Sequence, residues 1–131
     1  MPKDKIFSKR RRLVKDFDFG KKTAAVFDDM LCRSVPFYAE IQRMLGEIVT
    51  DFAQEGTNLY DLGCSTCTTL LTLDHRLAPG VRFVGVDSSA DMLRLGRGKL
   101  VKAKVKREYE LLRADLNQGV EVENASVVIM S

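Results

Sequence analysis

The apolar positions of this 131-residue chain follow two rhythms. In the first half they return at helical spacing. Val26, Phe27, Met30 and Leu31 form one such set, with Thr23 as a cap, and Pro36 interrupts it. From Phe37, the positions Ile41, Leu45, Ile48, Val49 and Phe52 predict an amphipathic helix that Gly56 ends. The second half is different. Short apolar runs at 59–62, 81–86, 109–112 and 125–130 have the length and character of buried strands. Helical stretches separate them, one over 68–77 stopped by Pro79-Gly80, another from 90 to about 105. Ser88 or Ser89 caps the latter, with Asp91 in its first turn. Helices followed by strand-helix-strand-helix-strand-loop-strand predict the N-terminal part of a doubly wound α/β fold. The fourth strand is expected to be central in a complete parallel sheet, which needs neighbours on both sides, and to stand in this chain as an open apolar edge. The chain is therefore expected to be the first part of a larger domain.

Composition changes this picture little. Hydrophobic residues make up 45% and charged residues 30%, ordinary values for a globular protein. No apolar run approaches the ~20 residues that span a bilayer. The N-terminus has no apolar signal core, so a cytoplasmic location without membrane contact is expected. The three cysteines, Cys32, Cys64 and Cys67, do not suggest a disulfide framework. The net charge of +3 is unevenly spread. Residues 1–22 hold nine Lys/Arg against three Asp, and they read as a separate basic segment ahead of a cofactor domain over 23–131. A second basic run, Arg94 to Arg107, has seven cations and no acid. The second run contains no aromatic residue for base stacking, and both runs are expected to be solvated surface without direct RNA contact.

The candidate chemistry lies at the ends of the first three strands. Asn58-Leu-Tyr-Asp61-Leu-Gly63-Cys64-Ser65 is an apolar run ending in a tight turn, where backbone N–H groups can approach a ligand. Arg82-Phe-Val-Gly-Val-Asp87 ends in a carboxylate placed to accept hydrogen bonds from a ribose diol. Asp115 follows the third strand and is expected beside an adenine amino group. Together these positions read as an adenosine-type cofactor site. Asp61-Leu-Gly63-Cys-Ser65-Thr-Cys67 partly matches the Asp/Glu-x-Gly-x-Gly-x-Gly loop of S-adenosylmethionine-dependent transferases. Ser65 and Cys67 stand where glycine is common, because glycine suits close approach and left-handed torsions.

Beyond that loop, the chain resembles the carboxy-S-adenosylmethionine synthases of bacterial tRNA modification, members of the S-adenosylmethionine-dependent methyltransferase superfamily with its Rossmann-like fold. The resemblance rests on Asp4-Lys-Ile-Phe-Ser8, Asp16-Phe-Asp-Phe19, Val26-Phe-Asp-Asp-Met30, Arg33-Ser-Val-Pro36 with Tyr38, Tyr60-Asp-Leu-Gly-Cys-Ser65, Gly85-Val-Asp87-Ser-Ser89-Ala-Asp-Met92 and Asn124-Ala-Ser126. It implies conversion of S-adenosylmethionine and prephenate to carboxy-S-adenosylmethionine and phenylpyruvate. A methyl proton is lost to give a sulfonium ylide, which captures carbon dioxide from prephenate. A tRNA carboxymethyltransferase then uses the product at the wobble uridine. The resemblance implies a homodimer. It carries cofactor binding to Tyr38, Gly63, Cys64, Ser65, Asp87, Ser88, Asp115, Leu116 and Ser131, with no metal, and it assigns no catalytic residue.

Other readings stay open at this point. An ordinary methyltransferase would share the pocket and differ in its acceptor site. A truncated S-adenosylmethionine-binding remnant would lack activity. Cys64-Ser-Thr-Cys67 also has the C-x-x-C spacing of a redox pair at a helix start. His75 is expected at the surface.

Overall fold

A computed structural model of the chain describes residues 36–130 and, before them, Val26, Asp28, Asp29, Met30 and Arg33. The basic segment 1–22, the cap at Thr23, Cys32 and Ser131 lie outside the described residues. Helix α1 (Tyr38–Phe52) leads into β1 (Asn58–Leu62), α2 (Thr68–Asp74), β2 (Arg82–Asp87), α3 (Ala90–Lys102), β3 (Tyr109–Arg113), a 3-10 turn (Leu116–Gln118) and β4 (Ala125–Met130).

The four strands pair in the order β3-β2-β1-β4, and every pairing is parallel. In register, Asp61 of β1 lies between Gly85 of β2 and Ile129 of β4. β1 and β2 are the inner strands, and their apolar runs are buried almost continuously, as strands covered on both faces require. β4 is the open edge of the described sheet, as expected for this chain; it pairs with β1 alone and leaves Val128 and Met130 exposed.

Helices α1, α2 and α3 lie on one face. Val49, Leu70, Leu73, Leu93 and Leu100 from the helices meet Leu59, Phe83, Leu111 and Ile129 from the strands in a single core. The opposite face carries Tyr60, Val84 and Val86, with Val120 and Ala125 against them. There the Tyr60 hydroxyl accepts a hydrogen bond from the Glu123 N–H at 3.2 Å.

α2 stops at Asp74, three residues before the position the apolar pattern suggests. Arg107, buried in the loop before β3, explains the early stop. Its guanidinium donates to the carbonyls of Asp74, Leu77, Ala78 and Val81 and to the Asp74 carboxylate at 2.6 Å. It also lies 4.5 Å over the Phe83 ring. Carbonyls that a further helical turn would have occupied are satisfied by one side chain instead. Arg107 therefore does not belong to the solvated basic run. α3 is capped as its sequence suggests, by the Ser89 hydroxyl accepting from the Met92 N–H at 3.2 Å, but it ends at Lys102.

Candidate functional site

The turn after β1 is built from three left-handed residues. Gly63 has φ 85°, Ser65 49° and Cys67 66°. Left-handed torsions come freely to glycine and cost other residues about 1–2 kcal/mol each. The surrounding contacts hold the two non-glycine residues there. Gly63 and Cys64 both donate their N–H groups to the Val86 carbonyl, at 2.7 and 3.0 Å, and the Cys67 N–H donates to the Cys64 carbonyl at 2.8 Å. The Ser65 N–H donates to Asp87 Oδ2 at 2.9 Å.

The two cysteine side chains pack over glycines. Cys64 Sγ lies 2.9 Å from where a Cβ on Gly85 would stand, and Cys67 Sγ lies 2.6 Å from the corresponding point on Gly96. β2 and α3 thus come close to the loop because neither has a side chain there. Both thiols are buried and free. The hydrogen bond with Cys67, then burial, pushes the Cys64 thiol far above its ordinary pKa. A redox pair needs a thiolate, so this microenvironment opposes the disulfide-exchange reading of the C-x-x-C spacing.

Three acids gather at the strand ends. Asp87 closes β2 and ties the two loops together, accepting from Ser65 N–H and, through Oδ1, from Ser89 N–H at 2.9 Å. Asp115 accepts from the Asn117 N–H at 2.9 Å and so orders the 3-10 turn. An open cleft of about 490 Å³ lies between the ends of β2 and β3, lined by Ser88, Arg113, Ala114 and Asp115. Arg113 borders it, its Nε donating to the Ser88 carbonyl at 3.2 Å.

The third acid is Asp61. It is 1% exposed, and neither carboxylate oxygen has a hydrogen-bond partner among the described residues. Burial, and then the neighbouring Asp87 charge, raise its pKa to about 7. A buried polar group without a partner is costly in a native structure and calls for a function. Asp61 was named above only as part of the loop motif. The signal for a larger role was visible in the sequence, as an acid inside the apolar strand Leu59-Tyr-Asp-Leu62.

The expected site residues are placed as follows. Gly63, Cys64, Ser65 and Asp87 form one hydrogen-bonded unit. Ser88 and Asp115 face a common cleft, and Leu116, a third exposed, follows at the start of the 3-10 turn. Tyr38 is the first residue of α1 and is half-buried. Ser131 lies outside the described residues. His75 is exposed at the end of α2. Among the described residues, no group of three or more His, Cys, Asp or Glu could hold a metal ion, and no helix is long and apolar enough to cross a membrane.

No family model matches the chain. Over 131 residues it is 51% identical to a curated protein of Methylococcus capsulatus named carboxy-S-adenosyl-L-methionine synthase, covering 99% of this chain and 54% of that protein. Proteins of the same name from Sulfurimonas denitrificans and Pasteurella multocida are 39% and 36% identical, covering 95% and 100% of this chain and 47% and 54% of theirs. The chain spans about half the length of the curated relatives it matches.

Solved structures give the fold. An O-methyltransferase of Thermotoga maritima dependent on S-adenosylmethionine superposes with a TM-score of 0.61 at 13% identity, over 71% of this chain and 34% of that one. An RNA methyltransferase of Salinibacter ruber, solved with S-adenosylhomocysteine, gives 0.59 at 25% identity, over 73% and 60%. The described sheet and helices are thus part of the Rossmann-like fold of S-adenosylmethionine-dependent methyltransferases.

Proposed function

We propose that this chain forms the cofactor-binding part of a carboxy-S-adenosylmethionine synthase, which makes carboxy-S-adenosylmethionine and phenylpyruvate from S-adenosylmethionine and prephenate. The observation that carries the reading is the 51% identity to a protein of that name over nearly the whole chain. The site's geometry fits the ligand independently. Asp61 offers a buried carboxylate lacking a partner, suited to an ammonium group or a water bound to one. Asp87 has its two oxygens fixed by backbone donors and retains lone pairs for a ribose diol. The cleft beside Ser88, Ala114 and Asp115 suits a purine, with Asp115 accepting from its amino group. Gly63 gives the ligand close access to the backbone; Cys64 and Ser65 shape the same turn, Leu116 extends the cleft, and Tyr38 and Ser131 complete the proposed set.

On this reading the chain's residues bind and orient the sulfonium compound, and the low polarity around Cys64 and Cys67 keeps water from the turn. No residue of the chain is assigned a catalytic role. The product serves a tRNA carboxymethyltransferase acting on wobble uridine, and the protein works as a homodimer in the cytoplasm.

An ordinary methyltransferase is the second reading, favoured by the solved structures that share the fold. A chain that binds the ligand without turnover is the third. The test is incubation with S-adenosylmethionine and prephenate, followed by mass spectrometry. A carboxylated adenosyl product together with phenylpyruvate is expected. Methyl transfer to an acceptor without prephenate consumption selects the second reading, and ligand binding with no product selects the third.

A further inference from the structure

Thr66 sits between two residues held in left-handed torsions, Ser65 at φ 49° and Cys67 at φ 66°. It is 1% exposed, and its hydroxyl donates to Asp28 Oδ1 at 2.7 Å. Lys99, from the last turns of α3, reaches the same point. Its ammonium donates to Asp28 Oδ2 at 2.9 Å, Thr68 Oγ at 2.8 Å and Thr66 Oγ at 3.2 Å. All three ammonium donors are therefore satisfied, and the ion pair is less than one-third exposed at either end. Three side chains, Asp28, Thr68 and Lys99, converge on the residue between the two strained ones.

We propose that Lys99 is a positioning residue for the cofactor loop. Acting through Thr66 and Asp28, it holds Ser65 and Cys67 in torsions that a more usual loop of this kind obtains from glycine. Strained torsions persist only where the surroundings over-determine them. Here the flanking backbone is fixed by Asp87 and by the Cys64 carbonyl, and the middle of the turn is fixed by Lys99. Among the described residues, the other buried and half-buried cations act elsewhere; Arg107, for example, closes the end of α2. The ligand part of this inference rests on the adenosyl-binding reading above.

The consequence is a coupling between two residues far apart in sequence. Lys99 matters to the loop because residue 67 is not glycine. With glycine there, the loop needs less restraint. The test titrates S-adenosylhomocysteine by calorimetry into the wild-type chain, Lys99→Met, Cys67→Gly and the double variant, with melting temperatures recorded alongside. Thr66→Val serves as a second probe that leaves the charges in place. Lys99→Met and Thr66→Val are expected to weaken binding about tenfold, and Lys99→Met less than threefold in the Cys67→Gly background. An equal loss in both backgrounds, or no loss in either, overturns the proposal, because a role confined to general stability predicts no such coupling. Amide exchange at Ser65 and Cys67 in the ligand-free chain decides the matter independently. It should accelerate in Lys99→Met and do so less when residue 67 is glycine; unchanged exchange also overturns the proposal. If the wild type does not bind S-adenosylhomocysteine, the functional reading fails, and the exchange result still judges Lys99.

Discussion

Cys67 and Gly96 occupy a single packing site. The sulfur of one lies 2.6 Å from the place where the other would carry a Cβ. α3 can rest on the cofactor loop only while residue 96 has no side chain. Gly96→Ala is therefore expected to destabilise the chain by about 1–3 kcal/mol in urea denaturation, as overpacked cores do. In a Cys67→Gly background the loss should shrink but not vanish, because the sulfur is gone while the Thr66 backbone carbon still lies 3.1 Å from the added methyl. Additive effects in the double variant would show that the two residues do not compete for space.

Asp87 is expected to serve both loop and ligand. Asp87→Ala removes the acceptor of Ser65 N–H and of Ser89 N–H, and with it the proposed ribose contact. A hydrogen bond to a charged group is worth roughly 1.5–3 kcal/mol. S-adenosylhomocysteine should bind at least tenfold more weakly by calorimetry, with a lower melting temperature. Unchanged affinity would take Asp87 out of the site.

The raised pKa of Asp61 makes stability depend on pH in a defined direction. Its folded value of about 7 lies above the ordinary carboxylate value, so the folded state favours the protonated acid. The contribution of the neutral form is fully present below about pH 4, shrinks as pH rises, and is gone above about pH 7. At 1.36 kcal/mol per pKa unit the span is on the order of 4 kcal/mol. Asp61→Asn, which does not ionise, should gain stability relative to wild type between pH 4 and 7 and hold that gain at pH 8. Urea denaturation of both proteins across this range checks it; a constant difference would mean that Asp61 stays ionised in the fold. A cationic ligand group beside Asp61 would favour its ionised form, so S-adenosylmethionine binding near pH 6.5 is expected to release protons, measurable in two buffers of different ionisation enthalpy.

Arg107 anchors the end of α2. Its side chain is 4% exposed, and its five hydrogen bonds and its stacking over Phe83 need a planar guanidinium. Arg107→Met leaves buried carbonyls and the Asp74 carboxylate without their donor, and a loss of about 3–5 kcal/mol is expected. Arg107→Lys should recover only a small part of it. A loss below 1 kcal/mol by chemical denaturation would contradict this account.

Most of the element order was legible in the sequence, because apolar runs of strand length and helical periodicity are local properties. The four strands lie within a residue or two of their expected positions. One exception has a tertiary cause. α2 ends early because a residue more than thirty positions away takes its carbonyls. β4, by contrast, is the open apolar edge expected of its run of Ala-Ser-Val-Val-Ile-Met. In the site, the strand-end acids and the turn were readable from motif spacing. The partnership of Thr66 with Lys99 and Asp28 was not, since it depends on three segments meeting in space. Nor could the two thiols be told from a reactive pair until their burial over Gly85 and Gly96 was known.

The double engagement of Asp87 has a thermodynamic consequence. A carboxylate on an open strand end rotates freely about its two side-chain torsions, and a ligand that captures it must freeze them. Here both oxygens are already oriented by amides of the folded chain. The entropic penalty of ordering that side chain falls on folding, not on association. A diol arriving at this position meets an acceptor whose lone pairs already point outward from a fixed frame. The frame is set by the turn itself, so substitutions that loosen the turn should register first as a less favourable entropy of binding.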